Sequence, residues 1–79
     1  MIYNNVMLTV TKTSDVDEVK ILLQEQASLS SDEPGCMRFE VYHSQADQQQ
    51  FLLVEQWQTQ EDLDRHREAR RLPSFIFPG

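Results

Sequence analysis

Apolar and polar side chains alternate through residues 1–11, with Val6, Leu8 and Val10 on one side and Asn5, Met7 and Thr9 on the other. A period of two predicts a half-buried strand. The period then changes. Val16, Val19, Leu22, Leu23 and Ala27 recur at steps of three and four, which predicts a helix to about Leu29 with one face on a core. Ser14 or Thr13 can cap it, Ser14 with Asp17 fitting a capping box, and Asp15, Asp17 and Glu18 suit the positive end of the helix dipole. The polar segment 30–35 ends in Pro34 and Gly35, a turn signal in which Gly35 takes positive φ.

Residues 36–43 alternate again, with Met37, Phe39 and Val41 on one face and Arg38, Glu40 and Tyr42 on the other. Residues 44–50 read as a polar hairpin loop leading to a strand over 51–57. In that strand Phe51, Leu52, Leu53 and Val54 are apolar on both faces, so helices should cover one side and a second subunit the other. Thr59 and Asp62 repeat the capping pattern before a helix over 60–71, with Leu63, Ala69 and His66 on its inner side. Pro73 separates this helix from an apolar tail in which 75–77 is a candidate fourth strand. The order β, α, β, β, α, tail predicts an α+β fold of ferredoxin-like type, an antiparallel sheet with both helices on one face.

A chain of 79 residues is expected to be one domain over 1–79. A domain this small buries only roughly 60% of its unfolded surface and needs a staple. The single Cys36 excludes an internal disulfide, and no Cys/His spacing suits zinc, so no metal site is expected. A homodimer is the remaining staple. A net charge of -6 repels phosphate backbones, and Arg67, Arg70 and Arg71 are too few to reverse that, so nucleic acid is not expected as a partner. No apolar run nears the ~18 residues of a membrane span, and residues 1–11 lack a secretory signal. With one cysteine, these features point to the cytoplasm.

The candidate chemistry gathers on few residues. Trp57 shares a strand face with Glu55, Leu53 and Phe51, which sets an indole donor beside an acid; Trp57 is either a stacking wall or a core plug. His66, on the side of Leu63, either faces the same cavity as a proton shuttle or is a solvated helix histidine. Asn5 either aims its amide at a substrate oxygen or is an exposed strand residue. Arg38 and Tyr42 share one face of their strand, where they pair with a carboxylate and a ligand or build a dimer interface. His43 reads as surface. Cys36 has no helix N-terminus after it and no His near it in sequence, and reads as a small buried hydrophobe. Met7 and Met37 suit a flexible apolar seam between subunits.

Two blocks carry a resemblance. EPGCMRFEVY at 33–42 resembles the segment "EPGC, then Arg, aromatic, acidic, aliphatic, Tyr" of the antibiotic biosynthesis monooxygenase family, and FLLVEQW at 51–57 resembles its "F-x-L-V-E-x-W" strand. Leu63 and His66 extend the likeness, which covers about residues 6–66. It implies a dimeric α+β barrel. Its oxygenases use no cofactor: an acidic phenol, quinol or anthrone loses a proton, and the anion reacts with dioxygen. In such chemistry Trp57, His66 and Asn5 are the catalytic candidates, and Glu55, Tyr42, Arg38 and Phe51 the substrate-binding ones. The family also contains haem-degrading enzymes and an isomerase, so a non-catalytic ligand-binding dimer and a haem-binding relative stand as alternatives. Members continue past the His with a serine-containing turn, more helix and a long strand that reaches the neighbouring subunit. Here residues 67–73 do not resemble that continuation and only 75–77 stands in for the strand, which reads as a shortened C-terminus.

Overall fold

A computed structural model of the chain describes residues 1–69 and the backbone of Ile76–Pro78. Strand β1 (Ile2–Val10) leads through a 3-10 turn (Thr13–Asp15) into helix α1 (Val16–Ser31). The hairpin of β2 (Cys36–His43) and β3 (Gln50–Trp57) follows, then helix α2 (Gln60–Ala69) and a short β4 (Ile76–Pro78). The sheet order is β2-β3-β1-β4 and every neighbouring pair is antiparallel, the ferredoxin-like arrangement. The candidate fourth strand pairs with β1 of its own chain, Val10 opposite Ile76. The expectations for Arg70, Arg71 and residues 72–75 lie outside the described residues.

Alternation decides which side chains reach the core. Leu8 and Val10 from β1, Phe39 from β2 and Phe51, Leu53 and Trp57 from β3 pack on Val16, Val19 and Leu23 of α1 and Leu63 of α2. Both helices therefore cover one face. On the opposite face, cross-strand neighbours set Tyr3, Gln56 and Arg38 in one row, Asn5, Val54 and Glu40 in the next, and Met7, Leu52 and Tyr42 in a third. Tyr3, Met7 and Tyr42 are exposed there, while Leu52 and Val54 are half-buried.

Local signals held in part. Thr59 caps α2 as expected: its hydroxyl accepts the Asp62 N–H at 3.2 Å and donates to the Asp62 carboxylate at 2.8 Å. The Ser14 box does not form, because the 3-10 turn shifts the start of α1 so that Asp15 precedes it, without a side-chain cap bond. The expected inner position of Ala69 is also wrong; Leu63 and His66 are buried and Ala69 is exposed. Three residues advance a helix by about 300°, so Ala69 lies roughly 60° beyond His66, past the edge of a narrow buried stripe. A bulge between Cys36 and Arg38 interrupts the β2 register, so Met37 does not share the inward face of Phe39 and Val41 and is exposed instead.

Gly35 takes φ +79°, and any Cβ there would collide with the Asp62 side chain. The turn before β2 thus lies directly on the first turn of α2, held by the Gln58 N–H donating to the Gly35 carbonyl at 2.8 Å. Ser30 of α1 is fully buried, and its hydroxyl has no hydrogen-bond partner. Ser30→Ala removes this unpaired group at little cost in volume and should raise stability by about 1 kcal/mol, measured as a higher urea midpoint at unchanged m-value.

Candidate functional site

Every second residue of β3 points at the helices, and two of the four inward positions, Glu55 and Trp57, carry hydrogen-bonding groups. Glu55 and Trp57 are 2% and 0% exposed, and the indole N–H donates to the Glu55 carboxylate at 2.9 Å. This is the donor beside an acid that the strand spacing predicts. A carboxyl group so deeply buried needs polar partners, since an unpaired one costs several kcal/mol. Trp57 is one.

His66 approaches the same acid from α2. It is 7% exposed, and its ring lies 4.7 Å from the Trp57 ring at 34° and 5.4 Å from Phe39 in an edge arrangement. Its Nδ1 is 2.7 Å from the Glu33 carboxylate, and its Nε2 is 3.9 Å from Glu55 Oε1. Only the first is a hydrogen bond. The second is a contact beyond hydrogen-bond reach. The result is one buried polar line: Glu33, His66, Glu55, Trp57.

Cys36, opposite Trp57 in the sheet, lies beside this line. Burial pushes its thiol above the usual range, its bond to Arg38 backbone opposes that, and the charges of Glu33 and Glu55 add to the rise. Such a thiol stays protonated and is a poor nucleophile, in keeping with a half-buried packing role.

The other expected site residues are elsewhere. Phe51 faces inward but sits six residues up β3, about 20 Å away, where it stacks on His43 at 4.1 Å and 4°. His43 is half-buried by that stack, with Nε2 2.7 Å from the Gln48 carbonyl, rather than free at the surface. Asn5, Arg38 and Tyr42 occupy the opposite face of the sheet and do not meet Trp57 or His66. There Glu40 is the hub: Arg38 Nε donates to it at 2.8 Å and the Tyr42 hydroxyl at 2.7 Å. These bonds, Arg38 first, hold the Glu40 carboxyl below its usual range, and the bond to Glu40 raises Arg38. A groove of about 260 Å³ lies at the end of this face, lined by Met7, Tyr42, Leu52 and Gln50 with His43, Ser44 and Phe51.

Three neighbours of the buried line were missed in the sequence. Asn4, not Asn5, pairs with Glu55 across the sheet, and its side-chain oxygen accepts from Arg67 at 3.4 Å. The alternation set by Val6, Leu8 and Val10 already puts Asn4 inward. Phe39 was read as core alone. Glu33 carried no local signal, being a loop acid whose partner lies 33 residues away. Among the described residues no group of three or more His, Cys, Asp or Glu side chains is placed to hold a metal ion. Among them also, no helix is long and apolar enough to cross a membrane.

Comparison with known proteins converges on one family. The profile described as antibiotic biosynthesis monooxygenase matches residues 1–75. A candidate antibiotic biosynthesis monooxygenase from Nitrosomonas europaea is 30% identical with a TM-score of 0.75, over 85% of this chain and 70% of that one. A Bacteroides thetaiotaomicron protein of unknown function, described as a possible oxidoreductase, is 24% identical with a TM-score of 0.76, over 84% and 69% of the two chains. A candidate antibiotic biosynthesis monooxygenase from Deinococcus radiodurans shares the fold at 19% identity and a TM-score of 0.76, over 94% and 70%. Among curated proteins none matches.

Replacing Trp57 by Phe removes the indole donor and opens a small void beside a buried carboxyl group. Trp57→Phe should cost about 2–4 kcal/mol, seen as a lower urea midpoint.

Proposed function

The chain belongs to the antibiotic biosynthesis monooxygenase family, and on that premise we propose that it is a cofactor-independent monooxygenase acting on a small phenolic, quinol-like or polyketide-like aromatic compound. The observation that carries the proposal is the buried His66 between two carboxyl groups, with a tryptophan face beside it. On this reading the ionising oxygen of the substrate lodges between His66 Nε2 and Glu55. His66 takes the proton, and the flanking carboxylates stabilise the cation that forms. Trp57 orients Glu55 through its N–H and supplies the aromatic wall.

The substrate anion then supplies the electrons. With an anthrone, the anionic carbon bonds to dioxygen and the peroxide takes a proton. Loss of water breaks the O–O bond and leaves a carbonyl, so one oxygen atom ends in product and the other in water. No flavin or metal enters this sequence. Asn5, Arg38 and Tyr42 have no part in it; we assign them to a homodimer in which two outer sheet faces stack. The exposed Tyr3, Met7 and Tyr42 around half-buried Leu52 and Val54 support that assembly. The whole chain then acts as one such domain, and its lone cysteine suits the cytoplasm.

A second reading has an observation in its favour. Trp57 is wholly covered and the open groove lies on the other face, which suits a non-catalytic dimer that binds a small ligand. Oxygen uptake with dihydroxynaphthalenes and anthrones separates the two. The wild type should consume oxygen above buffer and His66→Ala should lose about 100-fold or more in kcat; wild-type uptake equal to buffer rejects the monooxygenase. Added haem should leave its Soret band unshifted, and a shift would favour a haem-binding relative.

The dimer is tested separately by sedimentation at micromolar concentration. Leu52→Asp places a charge on the central strand of the outer face, between Met7 and Tyr42, and should raise the dissociation constant about 100-fold or more. A wild type that sediments as a folded monomer rejects the dimer.

A further inference from the structure

We propose that Glu33 is a positioning residue that fixes the tautomer of His66, and that the turn Glu33, Pro34, Gly35 exists to hold it there. This inference rests on the reading of His66 as the base. Two facts on opposite sides of the ring motivate it. Nδ1 is 2.7 Å from the Glu33 carboxylate, which has no hydrogen to give when ionised and so must accept. Nε2 is 3.9 Å from Glu55, beyond hydrogen-bond reach. A neutral ring therefore keeps its hydrogen on Nδ1 and leaves the Nε2 lone pair on the side of Glu55, where a proton acceptor is wanted. Without Glu33 nothing holds the hydrogen on Nδ1, and the remaining carboxylate, Glu55, lies on the Nε2 side.

The turn explains how a loop acid is placed this accurately. Asp62 and His66 are one helical turn apart and share a face of α2. Asp62 lies where a Cβ of residue 35 would have to be, and the Thr59 hydroxyl donates to its carboxylate. Gly35 thus lets the turn sit on α2 at Asp62, and the Gln58 N–H pins the Gly35 carbonyl. Two residues earlier, Glu33 reaches His66 one turn further along the helix. Its own backbone is tied to the end of α1, the Glu33 N–H donating to the Ser30 carbonyl at 3.0 Å. Proline between the two narrows the turn's freedom.

Nitrogen-15 NMR of the His66 ring reads the tautomer directly, at a pH where titration shows a single ring hydrogen. The ionisable groups against the ring are Glu33 and Glu55, and the charges of both acids also reach the Cys36 thiol. In the wild type the hydrogen should be on Nδ1. Glu33→Ala should move most of it to Nε2, whereas Glu33→Gln, whose amide oxygen still accepts, should keep it on Nδ1. If uptake is present, Glu33→Ala should lower kcat about 100-fold with KM within about twofold, and Glu33→Gln should lose less. A wild-type hydrogen on Nε2 overturns the proposal, as does an unchanged ring in Glu33→Ala or a ring that holds both hydrogens up to the pH of unfolding. Should Glu33→Ala not fold, the wild type and Glu33→Gln still decide. Hydrogen on Nδ1 without any oxygen uptake leaves the positioning role standing and defeats the monooxygenase reading instead. Uptake with hydrogen on Nε2 does the reverse.

Discussion

Strand β3 is hydrogen-bonded along both edges, to β1 and to β2, so its two faces can be satisfied only by side chains. Its inward row, Phe51, Leu53, Glu55, Trp57, is buried along its whole length. That constraint governs the rest. A carboxyl group in the row cannot turn to water by shifting register, because a one-residue slip would send Phe51, Leu53 and Trp57 to the opposite face as well. Glu55 must find its partners beneath the helices, and the molecule supplies them from its own strand and from α2.

The partners arrive from separated parts of the chain. Trp57 is two residues on, close enough for local geometry alone to bring its N–H to the acid. His66 comes from the one polar position in the buried stripe of α2, and Glu33 from the turn between α1 and β2. A buried polar line of this kind contributes little net stability compared with aliphatic packing, and half-satisfied it would be worse than none. Its cost falls on α2, whose short buried stripe gives one of its positions to His66. The thin apolar stripe of α2, with Leu63 as its buried hydrophobe, follows from the same choice.

The sheet divides two tasks. Its inner face carries Glu55 and Trp57 beneath the helices; its outer face carries Tyr3, Met7, Leu52 and Val54 with the Glu40 hub. The bulge after Cys36 serves both. It lets Cys36 stay opposite Trp57 while Arg38 and Glu40 remain outward, and it turns Met37 out of the core. Residues that looked like one site in the sequence therefore belong to two surfaces separated by the thickness of a sheet.

Much of this was legible in the chain. Periods of two and of three to four gave the strands and helices in order, because side-chain direction along a strand or helix depends on local backbone geometry alone. The Thr59 cap, the Pro34–Gly35 turn and the pairing of Trp57 with Glu55 were readable for the same reason, each lying within a few residues. The phase of β1 even distinguished Asn4 from Asn5, had it been extended by one step past Val6. Tertiary structure alone decided that His66 is buried, that Glu33 holds it, that Phe51 stacks on His43 far from Trp57, and that a bulge parts Met37 from the face of Phe39 and Val41. Those outcomes depend on which distant segment is laid over which face, and a helix or strand pattern has no means of recording a contact between residues 33 positions apart.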